Sequence, residues 1–179
     1  MPGKSSSKVE SEVLLYADSE TEADMLYFGK VFVPDPFIAF SCRGKRIAVV
    51  SQLEFSRVRK EGNFDEVLSM EETISATQKN ARKPFSYPAS SIAFLGKKYK
   101  IKSFTVSNNF PCGPAFQLKE LGVKLNVSEG MLLPERELKS DQEAEFIKRG
   151  NAASSAGFKV VEKILKKAEI RRGYLYHDG

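Results

Sequence analysis

The strongest structural signal in the chain is the segment Phe37-Ile38-Ala39-Phe40-Ser41-Cys42-Arg43-Gly44-Lys45-Arg46-Ile47-Ala48-Val49-Val50. Two runs, residues 37–40 and residues 46–50, flank a tight turn at Arg43-Gly44-Lys45, and all of their residues except Arg46 are apolar. Apolar runs rich in β-branched and aromatic residues on either side of a glycine-containing turn are typical of a β-hairpin. The sequence therefore predicts two adjacent antiparallel strands here.

Upstream of this hairpin, the sequence predicts one strand and one helix. Residues 13–17 form a short apolar run, which indicates a buried strand. Ser19 and Glu22 have the spacing of a capping box, so a helix is expected to begin there. Pro34 and Pro36 then end that helix and favour an extended approach to the hairpin.

Downstream of the hairpin, helical and strand patterns alternate. The predictions in chain order are a helix through Leu53, Phe55 and Val58 that Gly62 ends, a strand at 67–68, a polar helix over 72–82 that Pro84 stops, a helix from Pro88 through Ile92, Leu95 and Tyr99, a strand at 101–106, a short helix from 111 to 121 capped by Gly122, and a strand at 123–127. Such alternation with one antiparallel hairpin predicts an α/β fold, with a mixed sheet flanked by helices and a single core.

The pattern changes after Pro134. Ser140 and Glu143 form a second capping box, and a helical pattern then continues to about Ala168, over roughly 40 Å. Its broad apolar face must be buried against another surface. Tyr174-Leu175-Tyr176 follows as the start of a strand, and an isolated strand has no sheet to join. We expect a second domain that begins near Lys139 and is incomplete in this chain.

Several segments together resemble a known family. They are residues 14–18, 23–27, 34–37 and 50–57, the junction Pro134-Glu135-Arg136-Glu137-Leu138-Lys139-Ser140-Asp141-Gln142-Glu143, and residues 173–179. In order and spacing they resemble the start of Xaa-Pro peptidases of the creatinase and aminopeptidase P type. The resemblance implies that residues 13–134 form a ribonuclease-H-like creatinase N-terminal domain after a flexible tail at 1–12. Residues 139–179 would begin the "pita-bread" catalytic domain with its first long helix.

The same resemblance implies a function for the parent protein. The parent would be a proline-specific metallopeptidase, a hydrolase with two divalent ions (Mn, Co or Zn) held by Asp, His and Glu ligands of the catalytic domain. None of those ligand positions has a counterpart here, so no catalytic, cofactor-binding or metal-binding residue is expected in residues 1–179. The N-terminal domain would position proline-containing peptide substrates and take part in a homodimer.

Composition narrows the class of protein further. The formal charge is +5 with a pI of about 9.1, but acidic residues are interspersed throughout, so the charge permits nucleic-acid binding without arguing for it. No apolar run approaches the roughly 20 residues that cross a bilayer, and the polar start lacks the apolar core of a secretory signal. Cys42 and Cys112 are far apart and are expected to be small, partly buried, reduced thiols, which favours a cytoplasmic location.

Three groups of residues are candidates for chemistry or binding, and each has a simpler interpretation. His177 stands alone near the end of the chain, whereas a metal site needs three or four ligands. A nuclease would have to recruit carboxylates such as Asp18, Asp24, Asp35, Glu54 and Asp65, and helix capping already explains residues 18–22. Basic residues near aromatic ones at 97–104 fit a single-stranded nucleic-acid surface, but also an exposed helix end before a half-buried strand. The simpler interpretation is favoured in each case: an exposed loop residue for His177, helix capping for residues 18–22, and an exposed helix end for the basic residues.

Two alternatives to the peptidase hypothesis therefore remain. The parent could be a catalytically dead relative that acts as a binding or regulatory module. The less favoured alternative is a basic nucleic-acid-binding domain, for which Lys97, Lys98, Lys100 and Lys102 would supply the charge. A second basic cluster, at residues 163–172, is explained by the dipole at the end of the long helix.

Overall fold

The computed structural model describes residues 11–78 and 85–177. The chain divides into two compact units, residues 1–134 and 135–179. The strands of the first unit are β1 (Glu12–Ala17), β2 (Phe37–Cys42), β3 (Lys45–Val50), β4 (Glu66–Ser69), β5 (Ser103–Val106) and β6 (Lys124–Val127). Its helices are α1 (Ala23–Gly29), α2 (Gln52–Glu61), α3 (Met70–Gln78), α4 (Tyr87–Lys98) and α5 (Cys112–Glu120).

The six strands form one mixed sheet in the order β4-β3-β2-β1-β5-β6. β2 is antiparallel to both of its neighbours, whereas the other strand pairs are parallel. Helices connect the parallel strands, as parallel pairing requires. The predicted α/β fold, a mixed sheet flanked by helices, is confirmed.

The hairpin β2–β3 is confirmed, and its turn explains why the sequence signal is strong. Phe40 pairs with Ile47 and Cys42 with Lys45. The two turn residues, Arg43 and Gly44, both have left-handed backbones, with φ of 52° and 78°. Two consecutive positive φ angles match the right-handed twist of paired strands, and glycine adopts the second at no steric cost.

The hydrophobic residues of this unit form two clusters instead of the single core predicted. Successive residues of β2 point to opposite faces of the sheet, so Ile38 and Phe40 join one cluster while Phe37 and Ala39 join the other. The first cluster includes residues of α4 and α5, and the second includes residues of α1 and α2. A sheet covered on both faces has a core on each side, which is why residues 37–40 of β2 and residues 47–50 of β3 are all apolar.

The predicted capping box at Ser19 and Glu22 is wrong in detail. Ser19 is buried and exchanges hydrogen bonds with Val33: its hydroxyl accepts from the Val33 N–H at 2.6 Å and donates to the Val33 carbonyl at 3.2 Å. Glu22 is itself the N-cap of α1, and its carboxylate accepts from the Asp24 N–H at 3.2 Å. A long-range partner 14 residues away therefore replaces the local bond that the spacing suggested.

The polar helix predicted over residues 72–82 begins earlier, at Met70, and is described as far as Gln78. Residues 79–84, including the predicted stop at Pro84, lie outside the described residues. Pro88 lies in the first turn of α4 as expected, and Gly122, with φ of 77°, follows the end of α5. In the described ranges, no helix is both long and apolar enough to cross a bilayer.

The second unit consists of a short 3₁₀ helix (Pro134–Glu137, which spans the boundary), the 27-residue helix α6 (Asp141–Lys167) and a hairpin of β7 (Glu169–Arg171) and β8 (Tyr174–Tyr176). The capping box at Ser140 and Glu143 is confirmed, with both reciprocal bonds formed. The expectation of an isolated strand at 174–176 is wrong, because Ile170 pairs with Leu175 in an antiparallel hairpin.

Candidate functional site at the carboxyl edge of the sheet

The sheet has a topological switch point between its neighbouring parallel strands β1 and β5. The chain passes from β1 through α1 to β2 on one side, and from β5 through α5 to β6 on the other. In open α/β sheets, ligand sites form beyond the carboxyl ends of the strands at such a point. A cleft of about 250 Å³ lies there, lined by Tyr16, Asp18, Glu22, Pro36, Asn109 and Phe110, among others.

Asp18 stabilises the loop on one side of this cleft. Its carboxylate accepts hydrogen bonds from the N–H groups of Glu20 and Thr21, at 2.9 and 2.7 Å, and from the Thr21 hydroxyl at 2.9 Å. The Thr21 N–H and then the Thr21 hydroxyl lower the pKa of Asp18 below its ordinary value. Asp18 is therefore an ionised carboxylate that shapes the turn before α1.

A series of hydrogen bonds between side chains joins the loops that follow β1 and β5. The Asn109 amide donates to one oxygen of the Glu22 carboxylate at 2.5 Å, while the other oxygen caps α1. The Ser107 hydroxyl in turn donates to the Asn109 carbonyl oxygen. Sequence reasoning missed the hydrogen bond from Asn109 to Glu22, because 87 residues separate its partners and Asn109 belongs to a polar segment that indicates only a turn.

The carboxylates considered for a nuclease do not come together. Asp24 is buried within α1, Glu54 pairs with Arg57 on α2, and Asp65 accepts the Arg46 N–H at 2.7 Å before β4. Across residues 11–78 and 85–177, no group of three or more His, Cys, Asp and Glu side chains is arranged to hold a metal ion. His177 is exposed, just after β8.

The basic segment at 97–102 ends helix α4 and leads into β5. Its lysines are exposed, but the aromatic rings near them belong to the core: Tyr99 and Phe104 both pack against Phe40, at ring-centroid distances of 5.5 and 6.2 Å. Burial raises the pKa of the Tyr99 hydroxyl. A single strand of nucleic acid would need those rings as stacking platforms, so this geometry favours a structural role.

The two cysteines lie in different surroundings. Cys42 is buried at the end of β2, and burial, followed by the nearby Glu12 carboxylate, raises the pKa of its thiol. Cys112 is exposed at the start of α5, which corrects the expectation that both thiols are partly buried. A raised pKa disfavours the nucleophilic thiolate, so Cys42 has the character of a small core residue.

Comparison with known proteins gives a likeness of fold. No protein-family model and no curated protein sequence matches the chain. Among solved structures, the chain is similar to an Xaa-Pro dipeptidase from Bacillus anthracis (TM-score 0.66, 13% identity), an X-Pro aminopeptidase from Thermotoga maritima (0.65, 15%) and a prolidase from Pyrococcus horikoshii (0.60, 17%). The matches cover 86%, 86% and 90% of this chain but 38%, 41% and 41% of those chains. The chain therefore spans about two fifths of the length of these structures and shares their fold over that part.

Proposed function

We propose that residues 13–134 are the N-terminal substrate-positioning domain of a proline-specific metallopeptidase, and that residues 139–179 begin its catalytic domain. The observation that carries this proposal is the likeness of fold to three Xaa-Pro peptidase structures over 86–90% of the chain. Fold alone does not define function. The family-like junction at 134–143 in the sequence adds independent support.

The exposed apolar face of α6 supports the second half of the proposal. Seven large side chains of this helix are 40–75% exposed: Phe146, Ile147, Phe158, Val160, Val161, Ile164 and Leu165. A soluble protein seldom leaves such a continuous apolar strip in contact with water. We propose that a catalytic domain covers this face in the parent protein, as a partner surface for a long amphipathic helix.

In this proposal residues 13–134 restrict the substrate and supply no group that takes part in the reaction. The parent's metal ions would supply an activated hydroxide for hydrolysis. The described residues do not fit such a centre, since no cluster of potential ligands is present among them. The role that remains for residues 13–134 is to limit the length of the peptide that enters the active site and to hold that peptide in a fixed position. Restricting a substrate's freedom of movement itself accelerates a reaction.

The test uses the full chain. Calorimetric titration with Mn²⁺, Co²⁺ and Zn²⁺, together with an assay on Xaa-Pro dipeptides, should show no tight one-to-one metal binding and no hydrolysis. Clear one-to-one binding of any of these ions would contradict the proposed division of labour. The codons that follow residue 179 decide the status of the parent: Asp-Asp-His-Glu-Glu ligand positions there exclude the catalytically dead relative, and their replacement supports it.

Two further properties belong to the same proposal. From the resemblance we propose a homodimer in the cytoplasm, which sedimentation velocity and fractionation of cells test directly.

The nucleic-acid alternative predicts a gel shift with single-stranded oligonucleotides that weakens as salt increases. Absence of a shift at ~50 mM salt removes it, because phosphate contacts are strongest when counterions are dilute.

A further inference from the structure

A second, larger cleft runs between helix α5 and the edge strand β6. Its volume is about 530 Å³, which is within the range of ligand-binding sites. Its walls are mainly apolar and include Phe116, Val123, Leu125 and Val127. Phe116 is 69% exposed and Val127 is 62% exposed, so two large side chains of this α5–β6 groove face water. An apolar groove with exposed walls of this kind indicates a contact surface.

The backbone of β6 indicates the shape of the occupant. Among the residues that the structure describes, β6 is the last strand of the sheet and pairs in parallel with β5 alone. The Ser128 N–H donates to the Val106 carbonyl at 2.9 Å, so the backbone groups of Ser128 face β5. Because these groups alternate along a strand, those of Leu125 and Val127 face the free edge. Donors and acceptors in such a row match an extended peptide, which adds to a sheet as a further strand.

The charges around the groove indicate the chemistry of the occupant. The charged residues that line the groove are Lys119 and Lys124, and both are exposed. A second copy of this chain would bring the same two cations to the interface, and lysine on an edge strand is a common protection against self-pairing. An occupant with carboxylates beside its apolar residues complements the groove.

We propose that the α5–β6 groove binds an extended peptide segment of another protein. The segment adds a strand to β6 through the outward N–H and carbonyl groups of Leu125 and Val127. Alternate apolar side chains of the segment enter the groove beside Phe116, and its carboxylates lie against Lys119 and Lys124. This activity is separate from the proposed role in peptide hydrolysis, because it requires neither a metal nor a catalytic domain.

The experiment selects peptides from a random displayed library on the full chain and measures the affinity of the tightest one, fluorescently labelled, by polarisation. The selected sequences should alternate apolar residues with polar ones and contain Asp or Glu. Val127→Pro removes the outward N–H, which an edge strand tolerates, and should weaken binding about tenfold or more. Val127→Thr keeps the N–H and the side-chain shape, and serves as the matched control.

Two more variants test the walls and the charge. Phe116→Ser should weaken binding about tenfold, since aromatic side chains that become buried on binding dominate the affinity for a peptide. Lys119→Glu with Lys124→Glu should weaken it as much, and far more than the control Lys97→Glu with Lys98→Glu, which changes the same charge at the end of α4. All of these side chains are exposed, so circular dichroism should show an unchanged fold.

Three outcomes overturn the proposal. One is a selection that yields no binder, or binders without the alternating and acidic pattern. Another is binding that Val127→Pro and Phe116→Ser leave unchanged. The third is a dimer of this chain that Val127→Pro dissociates, which would make a second copy the occupant of the groove.

Discussion

Helices α4 and α6 both carry apolar residues at helical spacing, yet these side chains lie in opposite surroundings. In the first unit, α4 buries Ile92 and Leu95 against the sheet, within the cluster that contains Phe40 and Phe104. In the second unit, α6 is more than twice as long and has no buried residue. An amphipathic pattern therefore determines that a helix forms and which side is apolar, while a partner surface determines whether that side is buried.

The largest expected effect lies on the buried side of this comparison. Phe104→Ala removes a fully buried ring from β5, where it packs against Phe40. Loss of transfer energy and the cavity left behind should lower the free energy of unfolding by about 3–5 kcal/mol. Urea unfolding of the first unit, followed by hydrogen exchange of strand amides, measures this loss. A change below about 1 kcal/mol would show that the cluster around Phe40 does not stabilise the sheet.

A smaller effect is expected at the start of α6. Ser140→Ala removes the hydroxyl that accepts the Glu143 N–H, one of the two bonds of the capping box. The helix should lose about 1 kcal/mol, because one of its first N–H groups loses its partner. Faster hydrogen exchange in the first turn of α6, with unchanged exchange in the sheet, is the expected result. Ser140→Asp keeps an acceptor at this position and is the matched control.

A pH-dependent effect is expected at Asp18, the loop cap of the first unit. The pKa of Asp18 is lowered in the folded chain, so this carboxylate stabilises the fold at neutral pH and loses that contribution as pH falls through its folded pKa. Near neutral pH, the Asp18→Asn variant should therefore unfold at a lower urea concentration than the unsubstituted chain. The urea midpoints of the two proteins should converge in acid. A difference that persists unchanged in strong acid would mean that the charge of Asp18 is not the cause.

The smallest effect is expected on the exposed side. Phe158 lies in α6 and is 75% exposed, so Phe158→Ala should change the free energy of unfolding by less than about 0.5 kcal/mol. It should also reduce binding of a hydrophobic dye, if the exposed face is what the dye binds. Together with Phe104→Ala, the same substitution in two surroundings measures what burial contributes. A cost of several kcal/mol at Phe158 would show that this side chain is buried in solution.

The first unit also shows which parts of a site are accessible to sequence reasoning. Asp18 directly follows an apolar run and precedes a helix, so its position at the end of β1 and its local hydrogen bonds follow from short-range patterns. The bond from Asn109 to Glu22 has no local signal, because the two loops meet only after β1 and β5 pair. The bonding of Ser19 has no local signal for the same reason, because its partner, Val33, lies beyond the following helix.

By itself, the sequence determined the order and type of nearly all elements of this protein, because apolar spacing, glycine turns and capping residues act over a few positions along the chain. Only the tertiary structure decided the strand order, the division of the core between two faces, the position of the switch-point cleft and the free edge at β6. Each of these depends on contacts between residues far apart in the chain, whose entropy of closure is offset only when whole elements pack together.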